Sequence, residues 1–438
     1  MAVADLDQAL ETVFDFAGVR QPGHDSPAAM VRAMELLGDP QERLLVAHVA
    51  GTSGKTSTSY FLRAMLQAGG LVTGMTISPH IRSLNERVQI DGEALDEAEF
   101  CTRTEHLLAR LSPLRGQLTY FELMVSLAFD TFADKAVDVA VVEVGIGGSR
   151  DATNIARRRD KVSLIAPVGL DHTEKLGHTI AEIAAHKAGI LVPGGRGVVA
   201  PQCDEARAVI EARARQIGAR LDWVDPTTVA WPEDLPTFQR GNFALARAGL
   251  NALAETAGFP LPGETQMAAL RSIAPPARFE WFDLGDHRVL LDGAHNPPKM
   301  RALVEALSAQ QLGPFPVLAT LSSAGTLSAG TLGAGASSVG ASGVGAGKIA
   351  DTLAALSPLV THLIVPEFVL GHDSKIKESV PAAHLAAVAA GLGIDVEIVA
   401  DLPSAWQCLL AQPTRDLLVT GSLYLAALVR PWLSGKRG

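Results

Sequence analysis

The stretch Val49-Ala50-Gly51-Thr52-Ser53-Gly54-Lys55-Thr56-Ser57-Thr58 decides how this chain is read. It follows the apolar run Leu44-Leu45-Val46-Ala47 and leads into a helix-like segment, Tyr60 to Ala68. A strand that ends in a glycine-punctuated turn and opens a helix makes an anion cradle, because the turn's N–H groups and the helix N-terminus face the same point. Lys55 adds a mobile positive charge, and the hydroxyls of Thr56 and Ser57 are placed to reach a magnesium ion or phosphate oxygens. The pattern G-x-x-x-x-G-K-[ST] is incomplete, since Val49 stands at the first glycine position. A tighter form remains, Gly51-Thr52-Ser53-Gly54-Lys55-Thr56. The bland alternative is a glycine turn with an incidental lysine, and the strand and helix flanks argue against it.

Working outward, the chain has 438 residues, enough for two or three domains with full cores. Hydrophobic residues make up 47% and charged residues 19%, with a net charge of -10. An acidic chain with few basic clusters is a poor partner for nucleic acid, whose phosphates demand lysine and arginine. No apolar run approaches the roughly 18 residues needed to span a bilayer. The opening Met1-Ala2-Val3-Ala4-Asp5-Leu6-Asp7 lacks the basic start and apolar centre of a signal peptide. The three well-separated cysteines, Cys101, Cys203 and Cys408, offer neither a disulfide framework nor metal-ligand spacing. The expectation is a soluble cytoplasmic protein.

Short Val/Ile/Leu runs recur at Leu45–Val49, Val137–Val144, Val162–Pro167, Gly197–Ala200, Val289–Asp292, Val317–Thr320, His362–Pro366, Val396–Val399 and Leu417–Thr420. Continuous rather than alternating runs suit parallel strands buried on both faces, and helix-like stretches between them give the rhythm of a doubly wound α/β sheet. The Pro-containing link Ser272-Ile273-Ala274-Pro275-Pro276-Ala277 is the best boundary. It divides a larger phosphate-binding domain, residues 1–276 with a short N-terminal helical segment, from a smaller Rossmann-like α/β domain, residues 277–438. From Leu321 to Gly347 the chain carries no charge and is almost wholly Gly, Ala, Ser, Thr, Val and Leu, a composition expected of a flexible loop.

Other clusters follow strands. Val141-Val142-Glu143-Val144-Gly145-Ile146-Gly147-Gly148 ends a strand in a carboxylate and then glycines. The carboxyl ends of parallel strands form a ligand crevice, and an acidic residue there suits Mg²⁺, which prefers oxygen ligands shared with substrate phosphates. A solvated strand-end glutamate is the plain alternative. Ser149-Arg150-Asp151-Ala152-Thr153-Asn154 packs polar groups into the following loop. Next come Leu170-Asp171-His172-Thr173-Glu174 and, on a helix, Ala184-Ala185-His186-Lys187-Ala188-Gly189. A neutral imidazole can ligate a metal, although a lone histidine at a strand end is more often a satisfied polar residue. Lys187 stands among small apolar neighbours, where a lowered pKa permits reaction with CO₂ to a carbamate.

Taken in order, Gly51–Ser57, Ser78-Pro79-His80, Leu118-Thr119-Tyr120-Phe121-Glu122, Glu143–Gly148, Asp151-Ala152-Thr153-Asn154, Leu170-Asp171-His172-Thr173, His186-Lys187-Ala188-Gly189, Arg278-Phe279 and Asp292-Gly293-Ala294-His295-Asn296-Pro297 resemble the folylpolyglutamate synthase / dihydrofolate synthase family of the Mur-ligase superfamily. Each is weak alone, and nine in order are specific. The resemblance implies a Mur-ligase-like P-loop domain followed by a glutamate-ligase-like domain. Gly51, Thr52, Ser53, Gly54, Lys55, Thr56 and Ser57 would hold ATP, with Lys55 on the β/γ oxygens. Ser78, Glu143, His172 and Thr56 would hold two Mg²⁺ ions. Lys187 matches the family's carbamylated lysine and would help the second ion. Asn242, Arg278, Asp292 and Asn296 would contact the nucleotide, and His295 would join Lys55, Lys187 and His172 among the catalytic groups. Thr119, Tyr120, Phe121 and Glu122 would line the pterin-side pocket, with Arg150 and Asp151 beside it.

The implied reaction is ATP-driven amide formation between L-glutamate and dihydropteroate or a reduced folate, by a monomer that needs neither nucleic acid nor membrane. The chain also departs from the family. Lys55 is followed by Thr56 where the family often has glycine, and Ser149 separates Gly148 from Arg150. Gly18-Val19-Arg20-Gln21-Pro22-Gly23-His24-Asp25 does not reproduce the usual pterin-contacting stretch. These changes leave the ligase chemistry intact and the acid open. Two other readings stand beside it: a Mur-type amide ligase for a non-folate carboxylate, and a nucleotide-binding protein without catalysis.

Overall fold

Each apolar run is a strand in the computed structural model, which describes residues 3–18, 26–81, 83–229, 235–263, 267, 270, 273, 275–321, 344–367, 369–372 and 375–433. They divide into two units, Met1–Ile273 and Ala274–Gly438. In the first, α1 (Leu6–Phe16) and α2 (Ser26–Leu36) precede β1 (Val46–Ala50), α3 (Lys55–Ala68) and β2 (Thr73–Thr76). Two short strands follow, β3 (Gln89–Ile90) and β4 (Glu93–Ala94), then α4 (Glu97–Arg110), α5 (Tyr120–Asp134), β5 (Val139–Glu143) and β6 (Val162–Ile165). The unit continues through α6 (Thr173–Leu176), α7 (Ile180–Ala188), β7 (Arg196–Val199), α8 (Asp204–Ile217), β8 (Arg220–Trp223) and α9 (Thr237–Ala257).

The sheet order is β4-β3-β2-β5-β1-β6-β7-β8. Strands β2, β5, β1, β6, β7 and β8 run parallel, and β3 and β4 form an antiparallel edge. Alternation along the buried strands separates two cores. Val46, Ala140 and Val142 pack with Phe16, Met30, Phe100 and Phe129 from α1, α2, α4 and α5. Ala47, Val49, Val139 and Val141 pack with Phe61 of α3 and Phe243 of α9. Those two rings meet edge to face at 5.5 Å and 72°, a geometry that contributes about 1 kcal/mol beyond burial. The apolar stripes of α3 and α9 thus clamp the phosphate-loop helix to the sheet.

The second unit contains β9 (Glu280–Asp283), β10 (Arg288–Leu291), α10 (Pro297–Ala309), β11 (Phe315–Ala319), α11 (Val344–Leu356) and β12 (Val360–Pro366). A hairpin, β13 (Val369–His372) with β14 (Lys375–Glu378), leads to α12 (Ala382–Gly391), β15 (Val396–Val399), α13 (Leu402–Leu410), β16 (Asp416–Thr420) and α14 (Leu423–Leu433). Its main sheet runs β15-β12-β11-β16-β10-β9, parallel except for β9. Arg430 of α14 grips Glu280 of β9 in a two-pronged ion pair, 2.7 and 3.1 Å, that ties the last helix to the edge strand.

Several elements differ from the expectation. Helix α3 starts at Lys55 rather than Tyr60, because Ser57, Thr58 and Ser59, weak helix formers, are buried between the sheet and α9. Strands β2, β8 and β9 carry Gly, Arg, Asp, Glu and Trp among few aliphatics, so they lack the buried-strand signature. The uncharged segment expected to be a flexible loop over 321–347 ends in helix: Val344 to Gly347 begin α11. Its remainder, residues 322–343, lies outside the described residues. Among the described residues no helix is long and apolar enough to cross a membrane.

Candidate active site

The loop after β1 is shaped by its glycines. Gly54 sits at φ +85° directly before α3, and a Cβ there would lie 2.1 Å from Asn242 Oδ1. Only glycine allows both the left-handed turn and the approach of α9. Thr52 donates its hydroxyl to the Gly169 carbonyl at 2.9 Å, and its N–H donates to Pro167 O, so the loop is sewn to the segment after β6. Lys55 Nζ donates to Gly51 O at 3.1 Å, folding its charge over the loop. The first turn of α3 then presents N–H groups to the same space, the arrangement that binds phosphate.

Neighbouring strands bring the other groups in. Val49 is paired with Glu143, and Thr56 donates its hydroxyl to Glu143 Oε1 at 2.9 Å. Glu143 is 3% exposed. Beyond β6, His172 adopts φ +50° as it opens α6, and burial pushes its pKa down, with the Lys55 charge adding to the effect. Its side chain is nonetheless 45% accessible and lies 3.9 Å from Glu174. Helix α7 places Lys187, 3% exposed, within the electrostatic reach of Lys55, Asp171 and Asp151. Burial first, and the Lys55 ammonium second, bring Lys187 from 10.5 down to about 7. A close fit positions α7: a Cβ at Gly148 would be 2.5 Å from His186 O, and Ser149 donates its N–H to that oxygen at 2.8 Å. The carboxyl ends of β5, β1 and β6, adjacent in the sheet, thus collect Glu143, the phosphate loop and His172, with Lys187 nearby.

The expected substrate-side residues separate into kinds. Thr119 and Glu122 form a reciprocal capping box at the start of α5, with Glu122 Oε2 accepting from Thr119 N at 2.8 Å. Their placement starts a helix, and that helix aims Tyr120 and Phe121. Tyr120 packs on Phe14 at 4.9 Å and under the Arg87 guanidinium at 5.3 Å. Phe121 lies beside Gly145, where an added Cβ would be 2.6 Å from its ring and 3.1 Å from Asp151 Oδ2. Asp151 is buried, its carboxyl pushed upward by desolvation, and it accepts from Ile146 N at 2.9 Å. Arg150 is exposed. Ser78 follows β2 on the same edge of the sheet, half-buried. The stretch 19–25 lies outside the described residues.

Sequence reasoning passed over a buried ionic group. Arg87, 2% exposed, donates from Nε to His80 Nδ1 at 3.1 Å, and Glu86 Oε2 accepts from Ile81 N at 2.8 Å. Both brace the loop that carries Ser78 and His80. Leu84-Asn85-Glu86-Arg87-Val88-Gln89 reads as an exposed charged loop in isolation; buried ions need partners, and nothing in the pattern shows that His80 and the Ile81 N–H turn back to meet them.

In the second unit, Asp292 at the end of β10 accepts from Phe279 N and Ala294 N, each at 2.8 Å. Desolvation raises its pKa and the Arg278 charge opposes the rise. Asn296 caps α10 through Lys299 N, and Lys299 Nζ lies 3.1 Å from His295 Nε2, whose Nδ1 lies 2.7 Å from Gly293 O. Arg278, Asp292, His295 and Asn296 are therefore one cluster at a strand-to-helix turn.

Residues 49–220 match the Mur ligase middle domain. The folylpolyglutamate synthase of Lacticaseibacillus casei is 31% identical over 436 residues, covering 92% of this chain and 93% of its own. The chain belongs to the folylpolyglutamate synthase family. Among solved structures, the Mycobacterium tuberculosis folylpolyglutamate synthase complexed with ADP superimposes with a TM-score of 0.78 at 27% identity, over 98% of both chains. A bifunctional folylpolyglutamate synthase/dihydrofolate synthase with Mn, AMPPNP and L-glutamate bound gives 0.77 at 27%, over 99% of both.

A divalent cation of the folylpolyglutamate synthase type fits the residues present. No group of three or more His, Cys, Asp or Glu side chains suited to a metal occurs among the described residues. Mg²⁺ does not need one, since it keeps waters and shares phosphate oxygens with one or two protein carboxylates. The buried Glu143 carboxylate in contact with the Thr56 hydroxyl, beside a helix N-terminus, is such a hard-oxygen donor set.

Proposed function

We propose that this chain is an ATP-dependent ligase that joins L-glutamate to the carboxylate of dihydropteroate or a reduced folate. The observation that carries the reading is the convergence of the Gly51–Thr56 cradle, Glu143 and the buried Lys187 at neighbouring strand ends of one sheet. The phosphate loop and Lys55 would hold the ATP phosphates, and Thr56, Glu143, Ser78 and His172 would hold Mg²⁺, which when bound would neutralise phosphate charge. A carboxylate oxygen of the acid bonds to the γ-phosphorus and ADP leaves. The neutral α-amine of glutamate then attacks the acyl carbon, phosphate departs with the bonding pair, and the nitrogen gives up one proton to water. Little covalent work falls to the protein, whose residues align the reactants and compensate charge.

Lys187 acts as its carbamate. At a pKa of about 7 a large fraction of the amine is neutral near physiological pH, and only the neutral amine adds to CO₂. The new carboxylate would supply oxygen ligands to a second ion next to Lys55. Phe121 and Asp151 form the wall that meets the acid. Arg278, Asp292, His295 and Asn296 serve nucleotide and glutamate. ADP release with Mg-ATP and L-glutamate, offering dihydropteroate and tetrahydrofolate separately, tests the reading. Turnover with either acid supports it and assigns the activity; none with both, from a folded ADP-binding chain, overturns the folate assignment.

A further inference from the structure

Beneath the glycine turn after β5 lies a buried polar chain that ends at Asp151, and the reaction above gives its other members no role. His48, in the centre of β1, is 0% exposed, on the sheet face that also carries Val46. Its Nε2 lies 2.9 Å from Thr153 Oγ1, and Thr153 Oγ1 lies 2.5 Å from Asp151 Oδ1. On the other side, Lys161 Nζ lies 3.4 Å from both His48 Nδ1 and Asn154 Oδ1. Asn154 Nδ2 donates to Ser149 O at 3.3 Å and Gly189 O at 3.1 Å, which leaves Asn154 Oδ1 turned to the lysine.

The donors of this chain run one way. Asp151 Oδ1 accepts the N–H of Thr153 at 3.0 Å as well as its hydroxyl, and Oδ2 accepts from Ile146 N, so the carboxylate acts as acceptor at both oxygens. Thr153 has one hydroxyl proton and spends it on Asp151, so its oxygen must accept from His48 Nε2–H. The imidazole is neutral, since burial and the Lys161 charge hold its pKa well below the usual value, and its Nδ1 is then the bare acceptor for Lys161. Each link polarises the next in a medium poor in water. At its end, Asp151 shares the wall formed by Phe121 and Gly145 and acts electrostatically on Lys187.

We propose that His48, Thr153 and Lys161 are positioning residues, a one-way hydrogen-bond chain that orients the Asp151 carboxylate toward the acyl substrate. The proposal rests on the ligase reading for its kinetic consequence and on the fold alone for its geometry. The chain gives the buried His48 and Lys161 hydrogen-bond partners inside the sheet domain.

Two measurements on the full-length chain test it. In steady-state assays with Mg-ATP, L-glutamate and whichever pterin acid is turned over, Thr153→Val should raise the KM for that acid on the order of tenfold while the KM for ATP stays within twofold. Thr153→Ser, which keeps the hydroxyl, should return to within threefold of the wild type. Equal KM values in Thr153→Val, parallel changes for both substrates, or a serine variant no better than valine would overturn the proposal. Independently, ¹⁵N-histidine NMR of the wild-type chain, assigned with His48→Gln, should show the Nε2–H tautomer for His48. Asp151→Asn should shift that signal. An Nδ1–H tautomer, or a signal blind to position 151, would also overturn it. If the wild type turns over neither acid, the folate reading fails on its own, and the spectrum still decides the chain.

Discussion

Replacing Gly54 by alanine separates two costs that the structure assigns to the phosphate loop. The residue sits at φ +85° and ψ -9°, and an alanine Cβ would be 2.1 Å from Asn242 Oδ1 and 3.0 Å from its Cγ. Holding alanine in the left-handed region costs about 1 kcal/mol. Pushing the Asn242 amide away from its 2.8 Å bond to Gln239 Oε1 costs about 1 kcal/mol more. Gly70, just past the other end of α3, is the control: its φ is +84° and nothing lies within 4 Å of its Cβ position. Gly70→Ala therefore carries only the backbone cost, expected to lower Tm by roughly 2–4 °C with Mg-ADP affinity within twofold. In Gly54→Ala the loop can relieve the collision only by moving out of its phosphate-binding shape. About 2 kcal/mol then appears in ligand binding, on the order of thirtyfold in Kd by calorimetry. Equal Mg-ADP affinities in the two variants would refute the assignment of the loop.

Glu143→Gln keeps the acceptor for Thr56 but removes the charge, and it should raise the Mg²⁺ concentration for half-maximal activity at least about tenfold; an unchanged Mg²⁺ dependence would remove Glu143 from the metal site. Lys187→Ala should lower turnover on the order of a hundredfold, and ¹³C-bicarbonate should give a carbamate resonance in the wild type that the variant lacks; full activity in CO₂-depleted buffer would sink the carbamate. Lys161 has a folded-state pKa of about 7 against an ordinary 10.5, so the unfolded chain binds the extra proton between those values and stability rises with pH across that window. Lys161→Met should flatten the rise in Tm between pH 7 and pH 9, and an identical slope would show that Lys161 is not the source. Arg430→Met leaves Glu280 buried without its two-pronged partner and should destabilise the second unit by about 3 kcal/mol in denaturant melts; a loss under about 0.5 kcal/mol would mean that water replaces the guanidinium.

Much of this protein was legible as a string because its signals are local. Val46–Ala50, the glycines at 51 and 54 and Lys55 form one short unbroken stretch of sequence, so strand, cradle and charge are written together. The buried parallel strands announce themselves because both faces are covered, which requires continuous aliphatic runs. Strand β8, with its Arg and Asp facing outward at an edge, has no such requirement and was silent. The ordered motifs Ser78–His80, Glu143–Gly148 and His186–Gly189 indicated the reaction class.

Tertiary structure alone decided what those residues touch. Thr119 and Glu122, expected at the pterin-side pocket, form the capping box of α5, an arrangement that satisfies backbone groups the sequence does not display. Asn242 reaches Gly54 only because Phe243 and Phe61 lock α9 on α3. Lys187 is set among Lys55, Asp171 and Asp151 by the fit of α7 against Gly148, and its lowered pKa follows from that burial. The chain from Lys161 through His48 and Thr153 to Asp151 joins residues up to 113 positions apart. Proton affinity and hydrogen-bond direction depend on distance and desolvation in space, quantities that spacing along the chain does not encode.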